Sequence, residues 1–244
     1  MNKKTHTQPD HSYITKSLDI KSPLIGVYNA PDPQFFKPLV KPGRGECVYA
    51  FYSQWLEGKT LFLSTDHYGC GGCGRWLFGI QTRSRQDFLS FLVDHEGLKD
   101  THELMDKWID SQKEFSRDFP YFFIGPLKQN MWGYLKSVSF FVNPDQLSAL
   151  MIGAQYFSSP EDPPPVIAPF GSGCMELMPF EDLDLTQAAI GTTDIAMRQH
   201  LPKNILSFTC TREMFLRICS LDERSFLAKP FLKNLKTSRG GSIG

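Results

Sequence analysis

The sequence lacks long hydrophobic runs and has no excess of charge of either sign. Nowhere do about 18 apolar residues follow one another, the minimum for a membrane-spanning helix, and no signal-peptide pattern follows the polar N-terminal segment. Lysine plus arginine equals aspartate plus glutamate at 26 each, so no overall field attracts nucleic acid or anionic lipid. We therefore expect a cytoplasmic protein with a small-molecule ligand and no nucleic-acid or membrane partner; a homo-oligomer stays open.

Several common catalytic motifs are also missing. The chain has no G-x-x-x-x-G-K-[ST] loop, no H-E-x-x-H and no G-x-S-x-G, which argues against the usual NTPases, zinc proteases and serine hydrolases. Cysteine is scarce, with six residues in 244, too few for a disulfide scaffold. In a reducing compartment a Cys-x-x-Cys pair is more often metal-binding or redox-active.

Apolar patterns predict an α+β fold, a mixed sheet with flanking helices. Short apolar runs predict strands at 22–28, 60–64, 121–124, 137–142 and 205–210. Helices are predicted at 45–57 and 211–219, and further helix starts at the capping residues Ser84 with Asp87, Asp100 with Glu103, and Asn143 before Pro144. We expect one domain, 21–239, with a proline-rich connector at 158–165, between flexible tails at 1–20 and 240–244.

A weak internal repeat is visible. Segments 139–150 and 207–218 share a plan of strand, cap and helix, and Cys70 and Cys174 each follow a strand and a glycine. The repeat predicts strand-loop-helix units that bring two such loops near one axis.

The most unusual segment is 66–79, in which Cys70 and Cys73 are surrounded by glycines in front of a helical pattern. Four interpretations stay open. The letters match a dinucleotide fingerprint, although four residues separate the strand from the first cysteine. A redox pair at a helix start is a second interpretation, with Arg75 lowering a thiol pKa.

A metal or iron–sulfur site is the third interpretation. Because zinc needs four ligands and a cluster three or four, Cys174 would be the third ligand, with His67 or Asp66 as the fourth. In the fourth interpretation the glycines fit a tight crossover and the cysteines pack as small apolar groups. We assign Cys47, Cys210 and Cys219 to the core on that basis.

A second polar segment is 191–198, in which Thr193, Asp194 and Arg198 could bind a carboxylate or phosphate. The structural alternative is that Thr193 or Asp194 caps a short helix and Arg198 is a solvated or structural charge.

Several motifs together resemble the family known as domain of unknown function 169, over about residues 23–239. They are Cys70-Gly-Gly, Asn143-Pro-Asp-Gln-Leu, Pro169-Phe-Gly-Ser-Gly-Cys174, Gly191-Thr-Thr-Asp with Arg198, and Leu221-Asp-Glu-Arg-Ser-Phe-Leu. The resemblance implies a cytoplasmic prokaryotic protein with one α+β domain, and it implies no particular activity. It also implies that Cys70 and Cys174 are more typical of the family than Cys73.

The sequence thus predicts a metal- or cofactor-binding protein, with an iron–sulfur cluster or zinc held by Cys70, Cys73, Cys174 and His67, and with redox chemistry as one use. Arg75 or Arg198, with Thr193 and Asp194, would hold an anionic group. The alternative is a non-catalytic module that binds or senses a small molecule, with the cysteines only lining its pocket. The sequence does not decide whether the protein is an enzyme.

Overall fold

The computed structural model describes residues 9–112, 115–171, 173–179 and 184–244. Within these ranges one mixed sheet of eight strands runs through the molecule in the order β2-β3-β4-β1-β5-β8-β7-β6. The strands are β1 Ile25–Asn29, β2 Leu39–Val40, β3 Thr60–Leu63, β4 Phe122–Pro126, β5 Leu135–Val142, β6 Val166–Ile167, β7 Ala188–Gly191 and β8 Leu206–Cys210. The predicted α+β class, a mixed sheet with flanking helices, is confirmed.

Helices cover both faces of this sheet. They are α1 Ser12–Ser17, α2 Tyr52–Leu56, α3 Gly71–Phe78, α4 Arg85–Ser90, α5 His102–Ser111, α6 Pro144–Gln155, α7 Gly173–Glu176, α8 Arg212–Cys219 and α9 Pro230–Ser238. A π-helical turn, Phe91–His95, extends α4, and short 3₁₀ helices include Val48–Phe51 and Ile195–His200. None of the helices in the described ranges combines the length and apolar character needed to cross a bilayer.

Alternating side chains divide the interior into two cores. Along β4, Phe123 points to one face while Phe122 and Ile124 point to the other, as the two-residue period of a strand requires. Helices α1, α6, α8 and α9 cover the first face. Helices α2 to α5 and α7 cover the second, and Cys70, Cys73 and Cys174 lie on that side.

The strand order shows a duplication. Strands β1 to β4 and β5 to β8 occur in mirrored order about the central antiparallel β1–β5 pair. In each half the short outer strand is parallel to its neighbour, β2 to β3 and β6 to β7. The two halves are therefore related by a pseudo-twofold axis. The repeat read from the sequence paired the wrong segments. Segment 139–150 begins in β5, which corresponds to β1, and segment 207–218 begins in β8, which corresponds to β4.

Most predicted helix starts are confirmed, with two corrections. The helix predicted at 45–57 begins as a 3₁₀ helix at Val48 and continues as α2 from Tyr52 to Leu56. Ser84 accepts the Asp87 N–H at 3.1 Å, and Asn143 forms a capping box with Gln146. Helix α5, however, is capped by Thr101 instead of Asp100. Thr101 has the extended backbone of an N-cap, and its hydroxyl accepts the Leu104 N–H at 3.2 Å.

The described parts of both predicted tails pack on the body of the protein. Helix α1 buries Ile14 and Leu18 in the first core. At the other end Ile243 is buried, its carbonyl accepts a hydrogen bond from the Asn143 side chain at 2.6 Å, and its N–H donates to Asp19 at 3.1 Å. Apolar burial and hydrogen bonds to the side chains of Asn143 and Asp19 thus hold segments that we had placed in flexible tails.

Candidate functional site

The loop before α3 brings Cys70 against a neighbouring loop. Gly69 has a φ of 77°, and its carbonyl accepts the Gly45 N–H at 2.9 Å. A Cβ atom on Gly69 would lie 2.5 Å from the Glu46 carbonyl oxygen, so this contact between backbones requires glycine. Cys70 follows as the N-cap residue of α3 and is half-buried.

A second loop places Cys174 on the short helix α7. The Gly173 N–H donates to Asp194 Oδ2 at 3.0 Å, and the Gly173 carbonyl accepts the Tyr49 hydroxyl at 3.0 Å. A Cβ atom on Gly173 would lie 2.7 Å from Tyr49 Cε2 and 2.8 Å from Met197 Cγ. The close packing at Gly173 fixes the position of the next residue, Cys174, which is 6% exposed.

These two loops bring the thiols of Cys70 and Cys174 together. The two side chains are hydrogen-bonded to each other, and this bond, with burial, raises the pKa of the Cys70 thiol well above its ordinary value. Backbone N–H groups of Cys73 and Gly72 donate toward the Cys70 sulfur and act in the opposite direction. The hydrogen bond to Cys174 thus favours the protonated form of the Cys70 thiol.

A third thiol, Cys47, lies beside this pair. Its sulfur accepts the backbone N–H groups of Tyr49 and Ala50, and burial raises its pKa to about 11, with smaller contributions from the charges of Cys70 and Asp194. We had assigned Cys47 to the core, because its neighbours are apolar. The signal that could have found it is a shared spacing: Pro42 precedes Cys47 by as many residues as Pro169 precedes Cys174.

The buried acid Glu176, two residues after Cys174, links the Cys174 loop to the neighbouring loop by hydrogen bonds. Glu176 is 1% exposed, and its carboxylate accepts the Thr192 N–H and the Thr193 hydroxyl, each at 2.5 Å. Burial raises the pKa of the Glu176 carboxyl. Thr192, with a φ of 62°, also accepts the Ser207 N–H at 2.9 Å. These bonds connect α7 to the end of β7.

The predicted anion-binding residues have structural partners. The Thr193 hydroxyl is bound to Glu176, and Asp194 accepts the N–H groups of Gly173 and Ala196. Arg198 donates to backbone carbonyls of Ile205 at 2.5 Å, Lys203 at 2.9 Å and Pro202 at 3.3 Å. The geometry shows the structural alternative for both residues. Asp194 caps the short helix Ile195–His200, and the charge of Arg198 is bound by backbone carbonyls.

Two other predicted site residues interact with aromatic rings. The Arg75 guanidinium lies 5.1 Å from the Phe88 ring centre and 5.3 Å from that of Trp76. The His67 ring lies 6.4 Å from the Phe62 ring, and its Nε2 atom is 3.5 Å from the Lys41 ammonium.

The residues do not fit the predicted zinc or iron–sulfur centre. Within the described part of the chain, no group of three or more His, Cys, Asp or Glu side chains is arranged to hold a metal ion. Cys73 is completely buried in the second core, because α3 begins at Gly71 and turns this position inward. Of the four predicted ligands, the structure thus places Cys70 and Cys174 in mutual contact.

Two surface clefts lie away from the thiols. One, of about 250 Å³, is lined by residues near the end of α6 and by the segment after α8, from Ser220 to Arg224. The other, of about 310 Å³, lies between Asn29, Asp118, the segment 133–136 and Arg212. No cysteine lines either cleft.

Comparison with known families gives one match. The model of family DUF169, described as "Uncharacterised ArCR", matches residues 13–220. No curated protein and no solved structure matches the chain. The matched range includes both halves of the sheet and all the loops that carry Cys47, Cys70 and Cys174. This agrees with the resemblance seen in the motifs, and the chain belongs to the DUF169 family.

Proposed function

We propose that the protein is a thiol–disulfide oxidoreductase whose reactive pair is Cys70 and Cys174. The observation that carries the proposal is the hydrogen bond between these two side chains, which come from loops about a hundred residues apart in the sequence. Disulfide formation requires two thiols whose side chains meet, and the hydrogen bond shows that these two do. Cys70 is half-buried and Cys174 is 6% exposed, so a substrate meets Cys70 first.

The exposed fractions of the two thiols define the order of events. As the Cys70 sulfur attacks a substrate disulfide, its proton passes to the departing substrate sulfur, the substrate S–S bond breaks and the first substrate thiol leaves. The Cys174 sulfur then attacks the Cys70 sulfur of the mixed disulfide, its proton passes to the second substrate sulfur, and the second substrate thiol leaves. The substrate disulfide is reduced to two thiols, and the protein dithiol is oxidised to a disulfide, which an external dithiol reduces again.

The surroundings of Cys70 support this chemistry. The N–H groups of Gly72 and Cys73 point at the sulfur, and Cys70 lies at the start of the eight-residue helix α3. Both features stabilise negative charge on sulfur during the attack, and they oppose the rise in the Cys70 pKa that Cys174 and burial cause. The backbone contact at Gly69 and the close packing at Gly173 keep the two sulfur-bearing segments in place.

A stoichiometric assay tests the proposal. Reduced protein is mixed anaerobically with glutathione disulfide, and released glutathione and protein disulfides are measured. We expect two glutathione molecules per chain and a Cys70–Cys174 disulfide, and no release in Cys70→Ser. Cys219→Ser is the matched control, because Cys219 is also half-buried but lies against the other core; it should react like wild type. Equal release from Cys70→Ser and wild type would contradict the proposal.

A second candidate is the small-molecule binding module. Phe170, four residues before Cys174, is 39% exposed, stacks edge-on against Trp108 at 4.9 Å and faces the Lys99 ammonium at 4.0 Å. This aromatic and cationic surface suits an aromatic anion. A ligand that binds equally well to wild type and Cys70→Ser, in a protein that does not reduce disulfides, would favour this function.

A further inference from the structure

The segments that carry Cys47 and Cys70 touch each other through their backbones. The Gly45 N–H donates to the Gly69 carbonyl at 2.9 Å, and the Glu46 carbonyl oxygen lies against the α-carbon of Gly69, leaving no room for a side chain. Cys47 directly follows Glu46, and Cys70 directly follows Gly69, in the two segments of this contact. Their thiols interact electrostatically, so Cys70 has a second sulfur beside it in addition to Cys174.

The pseudo-twofold axis gives an independent reason to group Cys47 with Cys174. Each follows an outer strand, β2 or β6, and each lies five residues after a proline, Pro42 or Pro169. Each also lies at the beginning of a short helix: Cys47 is the N-cap residue of Val48–Phe51, and Cys174 is the second residue of α7. In the duplicated architecture, Cys47 is thus the counterpart of Cys174 in the first half.

We propose that Cys47 is a relay thiol that takes over the disulfide from Cys174. The Cys47 thiolate attacks the Cys70 sulfur of the Cys70–Cys174 disulfide, a Cys47–Cys70 bond forms, and Cys174 leaves as a thiolate that takes up the proton given up by Cys47. No electrons are gained or lost in this exchange. The oxidised bond moves from the 6% exposed Cys174 to the half-buried Cys47, where an external dithiol can reach it.

This inference rests on the proposed oxidoreductase function, and full-length variants separate the two. Reduced Cys174→Ser is treated with glutathione disulfide, and its disulfides are mapped by mass spectrometry after alkylation and digestion. We expect a Cys47–Cys70 disulfide and two glutathione molecules released per chain. The double variant Cys47→Ser, Cys174→Ser should stop at one released glutathione and keep one glutathione on Cys70. Circular dichroism of each variant verifies that it folds.

The outcomes distinguish the two proposals. If wild type forms Cys70–Cys174 while Cys174→Ser retains glutathione on Cys70 without a Cys47 link, the relay is overturned and the reactive pair stands. If wild type forms neither a Cys70–Cys174 nor a Cys47–Cys70 disulfide, the proposed function fails and the relay fails with it. A Cys47–Cys70 link in Cys174→Ser that is absent from the double variant supports the relay.

Discussion

At the scale of single residues, the reactive pair depends on neighbours that are not themselves reactive. Gly69 and Gly173 allow close contacts that a side chain would block, and Asp194 holds the N–H of Gly173. The sequence pointed to Cys70 and Cys174 because both lie in glycine-rich loops. The sequence wrongly grouped Cys73 with them. The Cys-x-x-Cys spacing does not show that Cys70 is the N-cap residue of a helix while the Cys73 side chain turns into the core.

Substituting Gly173 should disturb the pair directly. In Gly173→Ala the new Cβ atom would meet Tyr49 at 2.7 Å and Met197 at 2.8 Å, and such overpacking typically costs about 1–3 kcal/mol. We expect a lower free energy of unfolding by denaturant and slower disulfide formation between Cys70 and Cys174. Gly133→Ala is the control, since nothing lies within 4 Å of its added Cβ atom; equal effects at both positions would contradict the packing argument.

The buried Glu176 should produce a specific pH dependence. Burial raises its pKa above the ordinary value of 4.5, so the folded state binds this proton more tightly than the unfolded state. Its contribution to stability is therefore present at acid pH and is lost as the pH rises from that ordinary value through the raised pKa. We expect the unfolding free energy of wild type, relative to Glu176→Gln, to fall across this range in denaturant titrations. A difference that stays constant or rises would contradict the assignment.

At the scale of elements, local sequence predicted most strands and helix starts because caps and apolar periods act over a few residues. The capping box at Asn143 and the cap at Ser84 are examples. The location of the cap of α5 was off by one position, because Asp100 and Thr101 are both good capping residues. Only the backbone geometry, extended at Thr101, decides between them.

The α5 cap can be tested with adjacent substitutions. Thr101→Ala removes the hydroxyl that accepts the Leu104 N–H, and loss of such a cap costs about 1 kcal/mol. Asp100→Ala should change the unfolding free energy by less than about 0.5 kcal/mol, as is usual for surface positions. Denaturant unfolding of both variants measures the difference. A larger loss of unfolding free energy in Asp100→Ala would contradict this assignment and favour Asp100 as the cap, as first predicted.

At the scale of the whole molecule, the duplication explains why local sequence patterns could not predict the Cys70–Cys174 contact. Cys70 belongs to the first half of the sheet and Cys174 to the second, so only the packing of the two halves brings them together. The repeat was visible in short segments but in the wrong pairing, because strands and capped helices resemble one another wherever they occur. The equivalence of Cys47 and Cys174 follows from strand order, which local patterns do not encode.

The most direct test of the reactive pair is an equilibrium redox titration of the wild-type protein. The protein is held anaerobically in buffers of increasing thiol–disulfide potential, free thiols are alkylated, and the modified residues are identified by mass spectrometry. The account predicts that Cys70 escapes alkylation in one two-electron transition together with one partner thiol, Cys174 or, after the relay exchange, Cys47. Cys73 and Cys210 in the interior do not join it. Independent oxidation of Cys70 and Cys174, or a disulfide joining Cys70 to Cys73, would contradict it.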